Sequence, residues 1–551
     1  MFADGAVVSF RGWVVRLGQR LVSRLVSRLV SRLVSRLVSR LALFSLFGFV
    51  PDFVRLPSRF RNMTSSAAAR HSLFAEYALL PEGWHRDVLL QWDEHGTLAD
   101  VTADTAAPAG VARAAGPLMP GMPNLHSHAF QRAMAGLTEY RANATDNFWS
   151  WRDLMYRFAA RISPDGLAAI SEWLYIEMLK AGYTSVCEFH YVHHSPDGRR
   201  YANPAELATR VVDSAQRAGI GMTMLPVLYQ YSGFGAQSPR DDQRRFINTP
   251  ESLLDLLASL RATHPEHPAL RYGVAPHSLR AVSAASLRAL IEGLNTFSTG
   301  APIHIHIAEQ TAEVDACLAV EGARPVQWLL DRFDVDSRWC LVHATHVDTQ
   351  ETSALARSGA IAGLCLTTEA NLGDGIFPAH DYLAAGGRFG IGSDSHIGVD
   401  WRSELRLLEY GQRLSRRQRN VLASASASAS ASEPSIHSTE PGNAGLFSHS
   451  SHVADRLYGA ALDGGTKASG RAIGMLQPGH RADWLVLDAE HPAIAEHEPE
   501  SWLSGIVFGE HGETPIRDVY TGGDKVVDNR HHRGEEQAYA RYRIALAELL
   551  K

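Results

Sequence analysis

The chain has 551 residues, 45% hydrophobic and 20% charged, which is ordinary globular composition with room for a large core and a second domain. Residues 1–62 carry eleven Arg and two Asp, a balance of +9, so the net charge of -6 leaves -15 on the rest. An acidic body argues against nucleic acid as a partner, no apolar run reaches the ~20 residues of a membrane span, and four scattered cysteines without a Cys-x-x-Cys pair read as reduced thiols in the cytoplasm.

In chain order, residues 21–40 are five copies of Leu-Val-Ser-Arg. A four-residue repeat advances about 400° on an α-helix, so the Arg row drifts about 40° per copy and never makes one face. The segment is rich in Arg and Ser and poor in acid, as targeting segments are. The plainer reading is an extension outside the fold, with Met63 the more natural start. Residues 1–62 are set aside on that basis.

Eight short apolar runs follow, at 117–125, 184–192, 221–229, 271–276, 302–308, 339–347, 360–366 and 388–393. Helical patterns separate them. Thr249-Pro250-Glu251-Ser252 followed by Leu253, Leu254, Leu256 and Leu257 has a capped start and apolar i, i+3, i+4 spacing. Residues 167–180 form another such stretch, with Gly182 as its stop. Eight strand-plus-helix units predict a parallel (β/α)8 barrel over 117–468. A doubly wound sheet would need a Gly-rich turn after its first strand, and Leu125-His126-Ser127-His128 is not one. Residues 422–452, opening with alternating Ala and Ser, read as a low-complexity insert. The flanks, 63–116 and 469–551, carry strand and turn patterns and are expected to form one small β-sandwich, with a C-terminal helix.

In such a barrel chemistry collects at the C-terminal ends of strands. His128, Tyr191, His277, His306, His343 and Asp394 all lie at or just past the ends of the proposed strands. His126 and His128 share one side of their strand, a spacing with which two imidazoles can grip one metal ion. His304 and His306 also share a side; His306 lies nearer the strand end and has Glu309 three residues on, which favours it as a ligand.

The patterns His126-x-His128, His306-x-x-Glu309, Gly392-Ser393-Asp394 and Gly479-His480-Arg481-Ala482-Asp483 resemble those of the amidohydrolase superfamily, metal-dependent hydrolases with a (β/α)8 barrel and a flanking β-sandwich. Within it the chain resembles the formimidoylglutamate deiminases of bacterial histidine breakdown. The closest segments are Asn124 to Arg132, Phe148-Trp149-Ser150-Trp151-Arg152, Glu188 to His194, Ala275 to Arg280 and His304 to Gln310. The resemblance covers about residues 70–550 and leaves out the extension and the insert.

The resemblance implies His126, His128, His306 and Asp394 as ligands of one divalent ion; three imidazoles and a carboxylate suit zinc, and the same ligand types also accept iron(II), cobalt(II) or manganese(II). A two-metal site would have a carboxylated Lys where His277 stands. Glu309, His343 and Asp394 are the implied acid–base groups, since a bound metal brings a water's pKa down toward roughly 7. Arg152 and Arg280, with Gln131, Tyr191 and His277, are the implied binders of a small dicarboxylate substrate, because a guanidinium grips a carboxylate with two parallel bonds. A homodimer is also implied. The competing readings are a deaminase of the same superfamily acting on a purine, pyrimidine or related ring, and a non-catalytic barrel scaffold.

Overall fold

The computed structural model describes residues 71–139, 148–423, 446–447, 450–509 and 512–551. The Leu-Val-Ser-Arg extension and residues 424–445 and 448–449 of the 422–452 insert lie outside the described residues. The described residues make one compact unit.

Eight parallel strands, here β1 to β8, form the barrel. They are β1 Met122–Ser127, β2 Tyr183–His190, β3 Gly221–Leu228, β4 Leu270–Tyr272 continued by Ala275–Pro276, β5 Ile303–Ile307, β6 Trp339–His343, β7 Ile361–Leu364 and β8 Arg388–Ile391. Hydrogen-bonded ladders join β1 to β4 and β5 to β8 in sequence order. Parallel bridges Val274↔Ile303 and Ser127↔Asp394 close the two arcs into a ring. Every residue of β1, β2, β3 and β5 is buried, as expected for strands covered on both faces.

The helices start and stop where their caps say. Ser163 Oγ accepts from the Gly166 backbone N–H at 3.0 Å, Pro164 occupies the first turn, and helix Pro164–Ala181 ends at Gly182 with φ 96°. That conformation suits glycine, and a side chain there would also run into Ile516 and Leu485 of the flanking layer. Thr249 caps Pro250–Thr263 with Ser252 in a reciprocal pair.

The flanking layer is a single nine-stranded sheet fed by both ends of the chain. Leu118–Pro120 pairs with Trp484–Leu487 on one side and, through Leu118, with His71–Leu80 on the other. The apolar run at 117–125 is therefore two strands: its first half belongs to this sheet, and the barrel begins only at Met122. Trp92 and Trp484 lie three strands apart, about 14 Å in a flat sheet, yet their rings meet at 5.1 Å. The sheet curls on itself around its own core of Leu73, Leu90, Trp92, Leu118, Trp484 and Val486. The C-terminal helix Glu535–Leu549 packs on Pro164–Ala181 through Tyr539 and Tyr542 against Trp173. All four cysteines are buried and free.

Helix Val453–Ser469 closes the barrel wall behind β8 and β1. A methyl group on Gly464 would overlap the Phe389 carbonyl of β8, whereas one on Gly411, in helix Trp401–Arg416, would meet only Ile376 at an ordinary 3.6 Å. Gly464→Ala should destabilise by about 1–3 kcal/mol through overpacking. Gly411→Ala should be neutral or stabilise by up to about 1 kcal/mol. Thermal unfolding of the two variants side by side checks this.

Candidate active site

The proposed ligands reach one point from three strands. His126 is in β1, His128 one residue beyond it, His306 in β5, and Asp394 just past β8. His126 Nε2 lies 3.1 Å from His128 Nε2 and 3.0 Å from His306 Nε2. Asp394 Oδ1 lies 3.5 Å from His126 Nε2 and 3.3 Å from His128 Nε2. Ligands at 2.0–2.1 Å around a tetrahedral zinc stand about 3.3 Å apart, so these spacings are those of a coordination shell.

The outer nitrogens agree. His128 Nδ1 donates to the Phe189 carbonyl at 2.9 Å and His306 Nδ1 to the His277 carbonyl at 3.1 Å. Each leaves its Nε2 lone pair facing the cluster. Lone pairs 3 Å apart repel unless a cation sits between them, so the residues fit a divalent metal. Burial pushes the His126 and His306 imidazoles well down, aided by their imidazole neighbours, and holds His128 at about 3 despite the Phe189 bond. All three are thus neutral, the form that ligates. His304 points elsewhere: its Nε2 donates to the Ala468 carbonyl at 2.8 Å.

His343, the last residue of β6, sits between carboxylates. Its Nε2 is 3.8 Å from Glu309 Oε1 and 3.7 Å from Asp394 Oδ2, and its Nδ1 is 3.2 Å from Glu369 Oε1. Burial alone would lower its pKa, but Glu309, Glu369 and Asp394 outweigh that and hold it at about 10. Burial pushes Asp394 up to about 7 against the pull of His343. The backbone is strained here: Ala308, His343, Ala344, Asp394 and His396 all have φ between 47° and 68°, left-handed values that non-glycine residues adopt at a cost and that cluster at functional sites.

A pocket opens over this cluster, and its walls include Gln131, Arg152, Tyr191, His277 and Arg280. The Arg152 guanidinium lies 4.4 Å over the Trp149 ring, and Arg280 is 6.0 Å from the same ring. Arg280 faces Glu309 and Glu313 at 3.8 Å each, beyond hydrogen-bond range. The Nε atoms of Arg152 and Arg280 are buried and make no hydrogen bond. Gln131 Nε2 donates to Tyr191 Oη at 2.7 Å.

The amidohydrolase family model matches residues 118–526, and the model for the N-terminal domain of formimidoylglutamate deiminase HutF matches 70–115. The chain is 51% identical over 479 residues to a formimidoylglutamate deiminase of Pseudomonas aeruginosa, covering 87% of this chain and 99% of that protein. The chain belongs to the amidohydrolase family, in its formimidoylglutamate deiminase branch. A crystal structure of an amidohydrolase from Brucella melitensis matches with a TM-score of 0.77 at 43% identity, covering 88% of this chain and 100% of that one. An adenosine deaminase from Xanthomonas campestris with bound zinc shares the fold, with a TM-score of 0.65 at 20% identity over 87% of this chain and 98% of that one.

Sequence reasoning passed over several residues that the structure places in or behind this pocket. Tyr156 and Tyr229 line it, and Gln243 Nε2 donates to both hydroxyls at 3.0 Å. Tyr156 is one helical turn from Arg152, a same-face spacing, and Tyr229 ends the third apolar run, so both carried a signal. Glu369 and Glu313 lie deeper, with no periodicity to mark them.

Replacing a ligand should separate His306 from its strand neighbour. His306→Ala should lower divalent-metal affinity by more than about 100-fold, while His304→Ala keeps a stoichiometric ion. Elemental analysis of the two purified variants, after dialysis against a metal buffer, measures this.

Proposed function

We propose that this chain hydrolyses N-formimidoyl-L-glutamate to N-formyl-L-glutamate and ammonia, as a step of histidine degradation, using one divalent ion. The observation that carries the reading is a single pocket in which a three-imidazole, one-carboxylate cluster faces two guanidinium forks. The substrate has the matching pieces: an amidine-like carbon at one end and two carboxylates at the other. A purine or pyrimidine deaminase would have no use for paired forks, and a scaffold no use for the cluster. Zinc is the proposed metal, since three imidazoles and one carboxylate at near-tetrahedral spacing suit a catalytic zinc site. Members of this family are metal-dependent hydrolases; when bound, the ion supplies an acidified water as the attacking group.

The protein's own groups divide the rest. Arg152 and Arg280 take the carboxylates, with Trp149 as their common platform. Gln131, Tyr191 and His277 line the pocket on the side of the metal cluster and orient the formimino group. Asp394, with one oxygen in the cluster and the other toward His343, accepts the proton that water loses. Glu309, between Arg280 and His343, delivers a proton to the departing nitrogen. The water oxygen adds to the formimino carbon, making it tetrahedral; both water protons, relayed by Asp394 and Glu309, end on the terminal nitrogen, the C–N bond breaks as the C=O forms, and ammonia leaves.

A cytoplasmic homodimer is part of this reading, on the family resemblance and the four reduced thiols. No helix among the described residues is long and apolar enough to cross a membrane.

Turnover of formimidoylglutamate by the purified protein should release ammonia and formylglutamate in equal amounts and stop with chelator. Formamide and glutamate as products would overturn the assignment. Arg280→Ala should cut kcat/KM by about 100-fold or more, mainly through KM, which steady-state kinetics resolves.

A further inference from the structure

Strand β7 is followed by Leu366–Leu372, a short helix that the reading above leaves without a role. Its Glu369 is 1% exposed. Oε1 accepts from the Cys365 backbone N–H at 2.9 Å and faces His343 Nδ1 at 3.2 Å. Oε2 is buried with no hydrogen-bond partner. A buried carboxylate with half its acceptor capacity unused is expensive. A Gln in the first turn would serve the Cys365 N–H as well as a Glu does, and without burying a charge. The charge is explained if it acts on the imidazole.

We propose that Glu369 is a positioning residue for His343. By accepting a hydrogen bond from Nδ1–H it fixes the ring's rotation, so that Nε2 points between Glu309 and Asp394. His343 needs such an anchor, because its own backbone is held at φ 68° and the neighbouring Ala344 N–H bonds to the Ile307 and Val342 carbonyls. The main chain thus sets where the ring begins, and Glu369 sets where it points. This is the arrangement by which a second carboxylate commonly orients a working histidine. The assignment rests on the proposed use of His343 in formimidoylglutamate hydrolysis.

The test is Glu369→Gln, which keeps shape and an oxygen for the Cys365 N–H but removes the charge. The expected result is a fall in kcat of about 10- to 100-fold, with KM within about twofold, unchanged metal content and an unchanged unfolding temperature. Glu369→Asp, which keeps the charge with a shorter reach, should recover part of the loss. Proton NMR supplies a readout independent of turnover. The wild type should show a strongly deshielded imidazole N–H resonance, absent from His343→Gln and moved upfield in Glu369→Gln. A Glu369→Gln enzyme with wild-type kcat, a loss of kcat that tracks lost metal or lost stability, or an unmoved resonance would each overturn the proposal. If the wild type fails to turn over formimidoylglutamate, the substrate reading fails, and the resonance alone decides the role of Glu369.

Discussion

Two backbone hydrogen bonds close the barrel and build the metal cluster in the same place. The Asp394 N–H donates to the His126 carbonyl at 3.0 Å, and the His128 N–H donates to the Asp394 carbonyl at 3.2 Å. They tie the first strand to the last, with Ser127 opposite Asp394. Across the ring, His306 is pinned by its N–H to the His277 carbonyl at 3.0 Å. The ligands are thus spaced by main chain, before any side chain chooses a rotamer. Metal chemistry demands this: imidazoles on flexible loops would separate, because their neutral lone pairs repel until the cation arrives.

Around this frame lies a shell of buried polar groups. Glu188 accepts from Ser127 Oγ at 2.6 Å and the Ala129 N–H at 2.8 Å, and so holds the chain on either side of His128. Burial pushes its carboxyl up to about 7, against those hydrogen bonds and one from Tyr175. Asn124 Nδ2 donates to Ser393 Oγ at 2.6 Å, joining the residues before each half of the cluster. Left-handed backbone at five non-glycine residues costs about 1–3 kcal/mol apiece. The large core of the barrel and its helices can carry that cost.

Much of this was legible in the sequence because two independent signals coincide. Hydrophobic runs locate strands, and chemistry-bearing residues at their ends locate a barrel mouth. His126, His128, His306, His343 and Asp394 were found that way, and the structure brings them together. The run at 117–125 misled, because hydrophobicity does not say which sheet a strand joins. Gly121, packed against Thr184, is where the chain passes from one sheet to the other. Glu369 and Tyr229 were passed over for a different reason. Tyr229 lies just past a strand end, as the histidines do, but a tyrosine does not announce a metal ligand, and Glu369 lies inside the short helix after β7, five residues beyond the strand end. Their roles come from side-chain contacts across the pocket, between residues far apart in the chain, which only the fold supplies.

The central claim is that one divalent ion is held by three imidazole nitrogens and one carboxylate oxygen at the mouth of this barrel. X-ray absorption at the metal edge of the purified protein tests it most directly. The account predicts a first shell of nitrogen and oxygen only, at about 2.0–2.2 Å, with imidazole scattering and no second metal. A sulfur shell near 2.3 Å, or a metal–metal distance of about 3.5–4 Å, would contradict it.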